Sequence, residues 1–120
     1  MRLITRSDFD GLACGALLLA AKVVDSWMFA HPKDIQDGLV PVTENDVLAN
    51  VPYAPGCGLW FDHHSSEEER LKIKGKYKGE SRISPSAARI IYEYYGGKEC
   101  FPNFDDLMLA VDKVDSGNLT

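Results

Sequence analysis

Hydrophobic positions in this chain come in short blocks separated by polar punctuation. Met1 to Thr5 is an apolar run that predicts a first strand, and Ser7-Asp8-Phe9-Asp10-Gly11 breaks it. Leu12 to Val24 is apolar nearly all round, which predicts a helix packed between a sheet and its neighbours. Its longest apolar run, Leu12 to Ala21, is too short to cross a bilayer, which takes about 20 residues. Ser26 to Ala30 predicts a second strand, closed by His31-Pro32, and Lys33 to Gly38 one or two helical turns. Asp46 to Val51 and Gly58 to Phe61 predict a third and a fourth strand, with Pro52, Pro55 and Gly56 in the loop between them. Residues 65–82 are strongly polar: the acidic Glu67-Glu68-Glu69, then a lysine-rich run from Lys72 to Lys78. They read as a solvated surface segment. Ser84 to Tyr95 is a helix, opened by Ser84-Pro85 and closed by Gly96-Gly97. A last helix runs from Phe104 to about Val114, with Asn103 as its cap. Trp27 and Trp60 are expected in the strand core, and Tyr92, Tyr94 and Tyr95 in helix packing.

Short apolar strands alternating with helices argue for βαβ units. The expected fold is α/β: a three-layer, Rossmann-like parallel sheet with flanking helices. In such sheets ligands gather outside the carboxyl ends of the strands. Two of those ends carry chemistry: Asp8 and Asp10 after the first strand, and Asp62, His63 and His64 after the fourth. The fold is expected to bring these two tips side by side.

The chain has 120 residues, 45% of them hydrophobic, enough for one domain with a real core. Its net charge of −5 argues against an extended basic face for nucleic-acid backbones. A small anionic substrate stays open, because a bound divalent cation reverses the local sign. Cys14, Cys57 and Cys100 are far apart and form no C-x-x-C pair, as expected for reduced thiols in a cytoplasmic protein. Cys14 in particular reads as a packing thiol. Asp8 and Asp10 lie where the apolar segment of a signal peptide would begin, so none is read there.

Aspartate and neutral imidazole are ligands for Mn, Zn, Fe or Mg-type ions. Asp8 and Asp10 straddle one residue, so in an extended segment both carboxylates project to one side, and Gly11 then lets the chain turn into the helix. His63 can offer one ring nitrogen to a metal while a carboxylate or carbonyl holds the other. Asp62 is placed to orient that shell. His64 is left to meet a phosphate oxygen or a proton. His31, before Pro32, reads as a loop residue.

SDFDGLACG followed by FDHH resembles the DHH phosphoesterase superfamily, and most of all its exopolyphosphatase-like branch. The resemblance spans nearly the whole chain, and SAARIIYEYY matches the helix after the third motif. It implies hydrolysis of phosphoanhydride or phosphodiester bonds with Mn2+, or Mg2+ or Co2+, often as a pair of ions. The implied substrate is a phosphate-containing small molecule, polyphosphate or a short oligonucleotide. Implied metal ligands are Asp8, Asp10, His63 and, for the fourth motif, Asp115 in preference to Asp112. Implied catalytic residues are His64 and Asp62. Two positions depart from the pattern. Arg6 stands where members with a full pair of metals carry a histidine, and Asn50 where they carry a bridging aspartate. Asp46 is near Asn50 but at the wrong end of its strand. One ion site is therefore expected from Asp10, His63 and Asp115, with Asp8 as a further candidate ligand, and the second site lacks two of its usual ligands at Arg6 and Asn50. Arg6 is expected to neutralise Asp8 or to fork onto a substrate phosphate. Members also carry a second, smaller substrate domain, so this chain is expected to be an N-terminal domain on its own, and a homodimer is allowed for.

Two other readings fit parts of the pattern. Haloacid-dehalogenase-like phosphatases also begin with strand-D-x-D-G, but want Thr or Val where Leu12 stands, and leave FDHH unexplained. A degenerate DHH protein would bind nucleotide or phosphate without cleaving it.

Overall fold

In a computed structural model the chain forms a five-stranded, wholly parallel sheet with helices on its faces. The structure describes residues 1–64, 69, 72–73 and 75–115, the last by its backbone alone. The elements are β1 (Arg2–Thr5), α1 (Phe9–Ala20), β2 (Ser26–Phe29), α2 (Pro32–Gln36), β3 (Asp46–Ala49), β4 (Leu59–Asp62), β5 (Gly79–Ser81), α3 (Ala87–Tyr94) and α4 (Asp105–Asp115). A 3-10 turn, Gly97–Glu99, links the last two helices. The strand order is β2-β1-β3-β4-β5.

The strands are continuous apolar runs because both faces of the sheet are covered. Alternate residues separate cleanly. Leu3, Val47, Ala49 and Phe61 face one layer with Ala13, Cys14, Leu17 and Leu18 of α1, Ile90 and Ile91 of α3, and Met108 and Val111 of α4. Ile4, Leu48 and Trp60 face the other layer, with Ile35 of α2 and Val51. Each fully buried leucine or isoleucine contributes about 1.5–3 kcal/mol relative to exposure. On the second face Trp60 makes edge-on contacts with Tyr53 and Tyr77, and its indole N–H donates to the Val51 carbonyl at 2.9 Å.

Several expectations are corrected. Helix α1 begins at Phe9, not Leu12, and α3 is capped by Ser86, whose Oγ accepts from Arg89 N–H at 3.0 Å, not by Ser84-Pro85. His31 caps α2, its own Nδ1 accepting from Lys33 N–H. β5 lies inside the segment read as solvated surface. It is a three-residue edge strand with only intermediate burial, so it carries no apolar signature. Glu67 and Glu68 of the acidic run lie outside the described residues. Trp27 is 54% exposed, because β2 is the other edge. Leu12 and Leu19 are also exposed, so α1 is covered on one side only. None of the three cysteines is in a disulfide. No helix among the described residues is long and apolar enough to cross a membrane.

The tips of β1 and β4 are not neighbours, since β3 lies between them. What brings their chemistry together is the crossing of α1 over the face of the sheet against α3.

Candidate active site

Asp8 is the extended N-cap of α1, with φ −117° and ψ 179°, and its Oδ1 accepts from Gly11 N–H at 2.8 Å. Capping by Asp starts the helix immediately, so Asp10 sits in the first helical turn and not in an extended segment. The two carboxylates therefore part. The Asp8 side chain stays 39% exposed at the mouth, while Asp10 is buried. Gly11 serves a different need from the expected turn: a Cβ there would lie 1.9 Å from the Arg6 carbonyl oxygen, so only glycine lets α1 leave the strand this tightly.

Asp10 reaches the start of α3. Its Oδ2 accepts from Ala87 N–H and its Oδ1 from Ala88 N–H, both at 2.9 Å. The first turn of α3 has no acid of its own, and Asp10 supplies the negative charge that its exposed N–H groups favour. Burial pushes the Asp10 pKa up, but His63 and the two N–H donors outweigh it, and the carboxyl is held below its ordinary value.

His63 Nδ1 lies 3.0 Å from the Ser84 carbonyl, which can only accept, so that nitrogen carries a proton. Its Nε2 lies 3.4 Å from Asp10 Oδ2. His64 is held differently. Its Nδ1 lies 3.0 Å from Asp62 Oδ1, again fixing the proton there, and its side chain is 48% exposed. Asp62 thus orients His64, whereas a backbone carbonyl orients His63. The two imidazole centroids are 4.0 Å apart.

Asn50 follows β3 with φ 61°, a left-handed conformation that asparagine tolerates. It is fully buried, and its Nδ2 donates to Asp8 at 3.0 Å (Oδ1) and 3.3 Å (Oδ2). Its Oδ1 is buried and, among the described residues, receives no hydrogen bond. Arg6 Nε is 3.6 Å from Asp8 Oδ2. Arg6 and Pro32 border two open hollows of about 320 and 330 Å3; Asn50, Asp62 and His64 line the first, and Asp8 and His31 the second.

Of the two fourth-motif candidates, Asp112 is committed elsewhere. Its Oδ2 accepts from Arg89 Nε and Nη2 and its Oδ1 from Ser86 Oγ, clamping α4 to the start of α3. The Asp115 side chain lies outside the described residues. Asp46 pairs with Arg2 at the opposite edge of the sheet.

Sequence reasoning did not find the roles of Ser84, Ala87 and Ala88. They act through backbone atoms and leave no side-chain signature.

Does this donor set fit a divalent cation? Two ligand atoms, each about 2.1 Å from one ion at a tetrahedral angle, lie about 3.4 Å apart. That is the Asp10 Oδ2–His63 Nε2 separation. A neutral His63 also turns a lone pair towards a carboxylate oxygen, an arrangement that wants a proton or a cation between them. One ion therefore fits at Asp10 and His63. Among the described residues no group of three His, Cys, Asp or Glu side chains converges as a ready-made ligand set.

No protein-family model matches the chain, and no curated protein matches it. Among solved structures, the chain is similar over 99% of its length to the pGpG-specific phosphodiesterase PggH from Vibrio cholerae, with 45% sequence identity and a TM-score of 0.87, and it spans 38% of that protein.

Proposed function

We propose that this chain is the metal-binding catalytic domain of a DHH-type phosphodiesterase that hydrolyses a short linear guanine dinucleotide to two mononucleotides. The observation that carries the reading is the meeting of Asp10 at the start of α1 with His63 after β4, 3.4 Å apart, a spacing that two ligands of one ion can take. The 45% identity to a pGpG-specific phosphodiesterase supports a dinucleotide in preference to the polyphosphate that the exopolyphosphatase-like motifs suggest. A cytoplasmic setting suits the reduced thiols.

Asp10 and His63 would hold a Mn2+ or similar ion, with Asp115 as the candidate third ligand. When bound, such an ion supplies a water of lowered pKa and polarises the phosphoryl oxygen. The protein's own groups do the rest. The two α3 N–H donors and the Ser84 carbonyl fix Asp10 and His63 before any ligand arrives. His64, held at Nδ1 by Asp62, presents its other nitrogen at the mouth, where the doubly protonated ring would donate to a phosphoryl oxygen or pass that second proton to the leaving oxygen. Arg6, 40% exposed between the two hollows, offers a fork for a phosphate.

The test is a nucleotide-release screen with Mn2+, Mg2+ and Co2+ over pGpG, a cyclic dinucleotide and polyphosphate. Mononucleotide release from pGpG, abolished by chelator and restored by Mn2+, is expected. Binding of pGpG with no release under any ion would instead favour the degenerate, non-catalytic reading, which the departures at Arg6 and Asn50 keep in view.

A further inference from the structure

The geometry points to a site for a single divalent cation, in which the Asn50 amide and the Arg6 guanidinium fill the place at Asp8 where a second cation would act. The inference rests on the proposed phosphodiesterase reading only for the ion at Asp10 and His63; what surrounds Asp8 stands by itself.

The Asp8 carboxylate is surrounded by donors. Oδ1 accepts from Gly11 N–H at 2.8 Å and from Asn50 Nδ2 at 3.0 Å; Oδ2 has Asn50 Nδ2 at 3.3 Å and Arg6 Nε at 3.6 Å. A cation approaching Asp8 meets N–H groups and a permanent positive charge. It would have to displace a helix cap, a buried amide and an ion pair together. Asp10 also accepts from donors, the two α3 N–H groups and the Cys14 thiol at 3.8 Å, but it has no guanidinium beside it, and an imidazole nitrogen that can ligate a metal faces its Oδ2.

The Asn50 orientation is set by the carboxylate. Reversing the amide would turn Oδ1 against Asp8, oxygen to oxygen, and bury the Nδ2 donor where Oδ1 now has no partner. Arg6 offers only N–H donors and cannot ligate a metal, so what it brings to Asp8 is an ion pair, not a coordination bond. It also borders both hollows, so the group that neutralises Asp8 is available to an incoming phosphate. The same two residues thus empty one cation place and furnish one anion contact.

Aspartate tolerates the left-handed conformation as asparagine does, so Asn50→Asp leaves the backbone undisturbed. Manganese binding is measured by titration calorimetry and by bound Mn2+ after gel filtration, with circular dichroism confirming the fold. Three proteins are compared: wild type, the Arg6→Ala/Asn50→Asp double variant, and His63→Ala. Expected stoichiometries are one, two and zero. Two tight equivalents on the wild type would overturn the inference while leaving the ion at Asp10 and His63 standing. One equivalent on the wild type and still only one on a folded double variant would overturn it too. No binding to the wild type with one equivalent on the double variant would keep the Asp8 assignment and remove the other ion; no binding to either would remove both. If the double variant does not fold, the wild-type stoichiometry decides alone.

Discussion

The two edges of the sheet both carry carboxylates, and they treat them in opposite ways. At the edge where the strands begin, Asp46 pairs with Arg2 across the β1–β3 register. Its Oδ1 accepts from Arg2 Nε at 2.8 Å, and its Oδ2 from Arg2 Nη2, Thr43 N–H and Thr43 Oγ1. Every acceptor is taken. At the edge where the strands end, Asp10 faces an imidazole nitrogen at 3.4 Å, and a buried amide oxygen has no donor. A hollow of about 600 Å3, roomier than either hollow beside Arg6, opens where the strands begin, beside Met1, Gly58 and Leu59 and away from Asp10 and His63. Volume is therefore a poor guide in this molecule. Unfinished polar chemistry marks the site, and finished polar chemistry marks the scaffold.

The largest effects are expected at the unfinished edge. His64→Ala should lower kcat on pGpG by about 10²–10⁴-fold, the usual worth of a positioned acid or base, while Mn2+ binding stays intact. Asp62→Asn, which leaves His64 without its carboxylate, should cost about 10–100-fold by the same assay, as for other groups that orient a site residue. Equal loss of ion binding in His64→Ala would break the distinction between the two histidines. Unchanged turnover in both variants would remove His64 from the chemistry.

Much of this contrast was legible in the chain. The parallel sheet followed from four apolar runs with helices between them; the approach of Asp10 to His63 did not follow from neighbouring strand tips, since β3 separates β1 from β4, and depends on α1 crossing against α3. What was not legible depends on tertiary partners. Asp8 and Asp10 look equivalent in SDFDG, yet one caps α1 and the other lies a turn inside it, and only the docking of α3 on Asp10 shows the difference. The chain favours Asp115 over Asp112 by its position alone; that Arg89 and Ser86 occupy Asp112 is not legible in it, and the Asp115 side chain lies outside the described residues. Trp27 looked like core because no local pattern tells an edge strand from a central one. β5 was missed because Gly79 has no side chain to give a signal. The strand needs glycine there, since a Cβ would lie 2.2 Å from the Trp60 carbonyl oxygen.

A middle-sized effect, on stability alone, is expected from the finished edge. Asp46→Ala strands the Arg2 guanidinium and the Thr43 N–H, and should lower the free energy of unfolding by about 2–3 kcal/mol, in the range of hydrogen bonds to charged groups. Urea unfolding measures it. The kcat/KM of the folded fraction should match the wild type, because Asp46 touches none of the residues at the other edge. A loss of kcat/KM comparable to that of His64→Ala would mean that the two edges are coupled.

The smallest effect is the acid response of the same pair, and its sign is fixed. Burial tends to raise the Asp46 pKa, but the Arg2 guanidinium and the Thr43 donors outweigh it, so the folded carboxyl titrates below its ordinary value of 3.8. Arg2, whose pKa is raised chiefly by its hydrogen bond to Asp46, stays charged throughout. The unfolded chain therefore takes up the Asp46 proton first as pH falls. The stabilisation is fully present above the unfolded pKa and is lost as pH falls from about 4 through the lower folded value. Asp10, also held low, contributes with the same sign. Urea unfolding between pH 6 and pH 3 should consequently show stability falling with acid in the wild type, and falling less steeply in Asp46→Asn, which keeps the shape of the side chain and removes its titration. Identical slopes in the two proteins would show that the Arg2–Asp46 pair is as silent energetically as an ordinary surface ion pair, and that the finished edge owes its stability to packing alone.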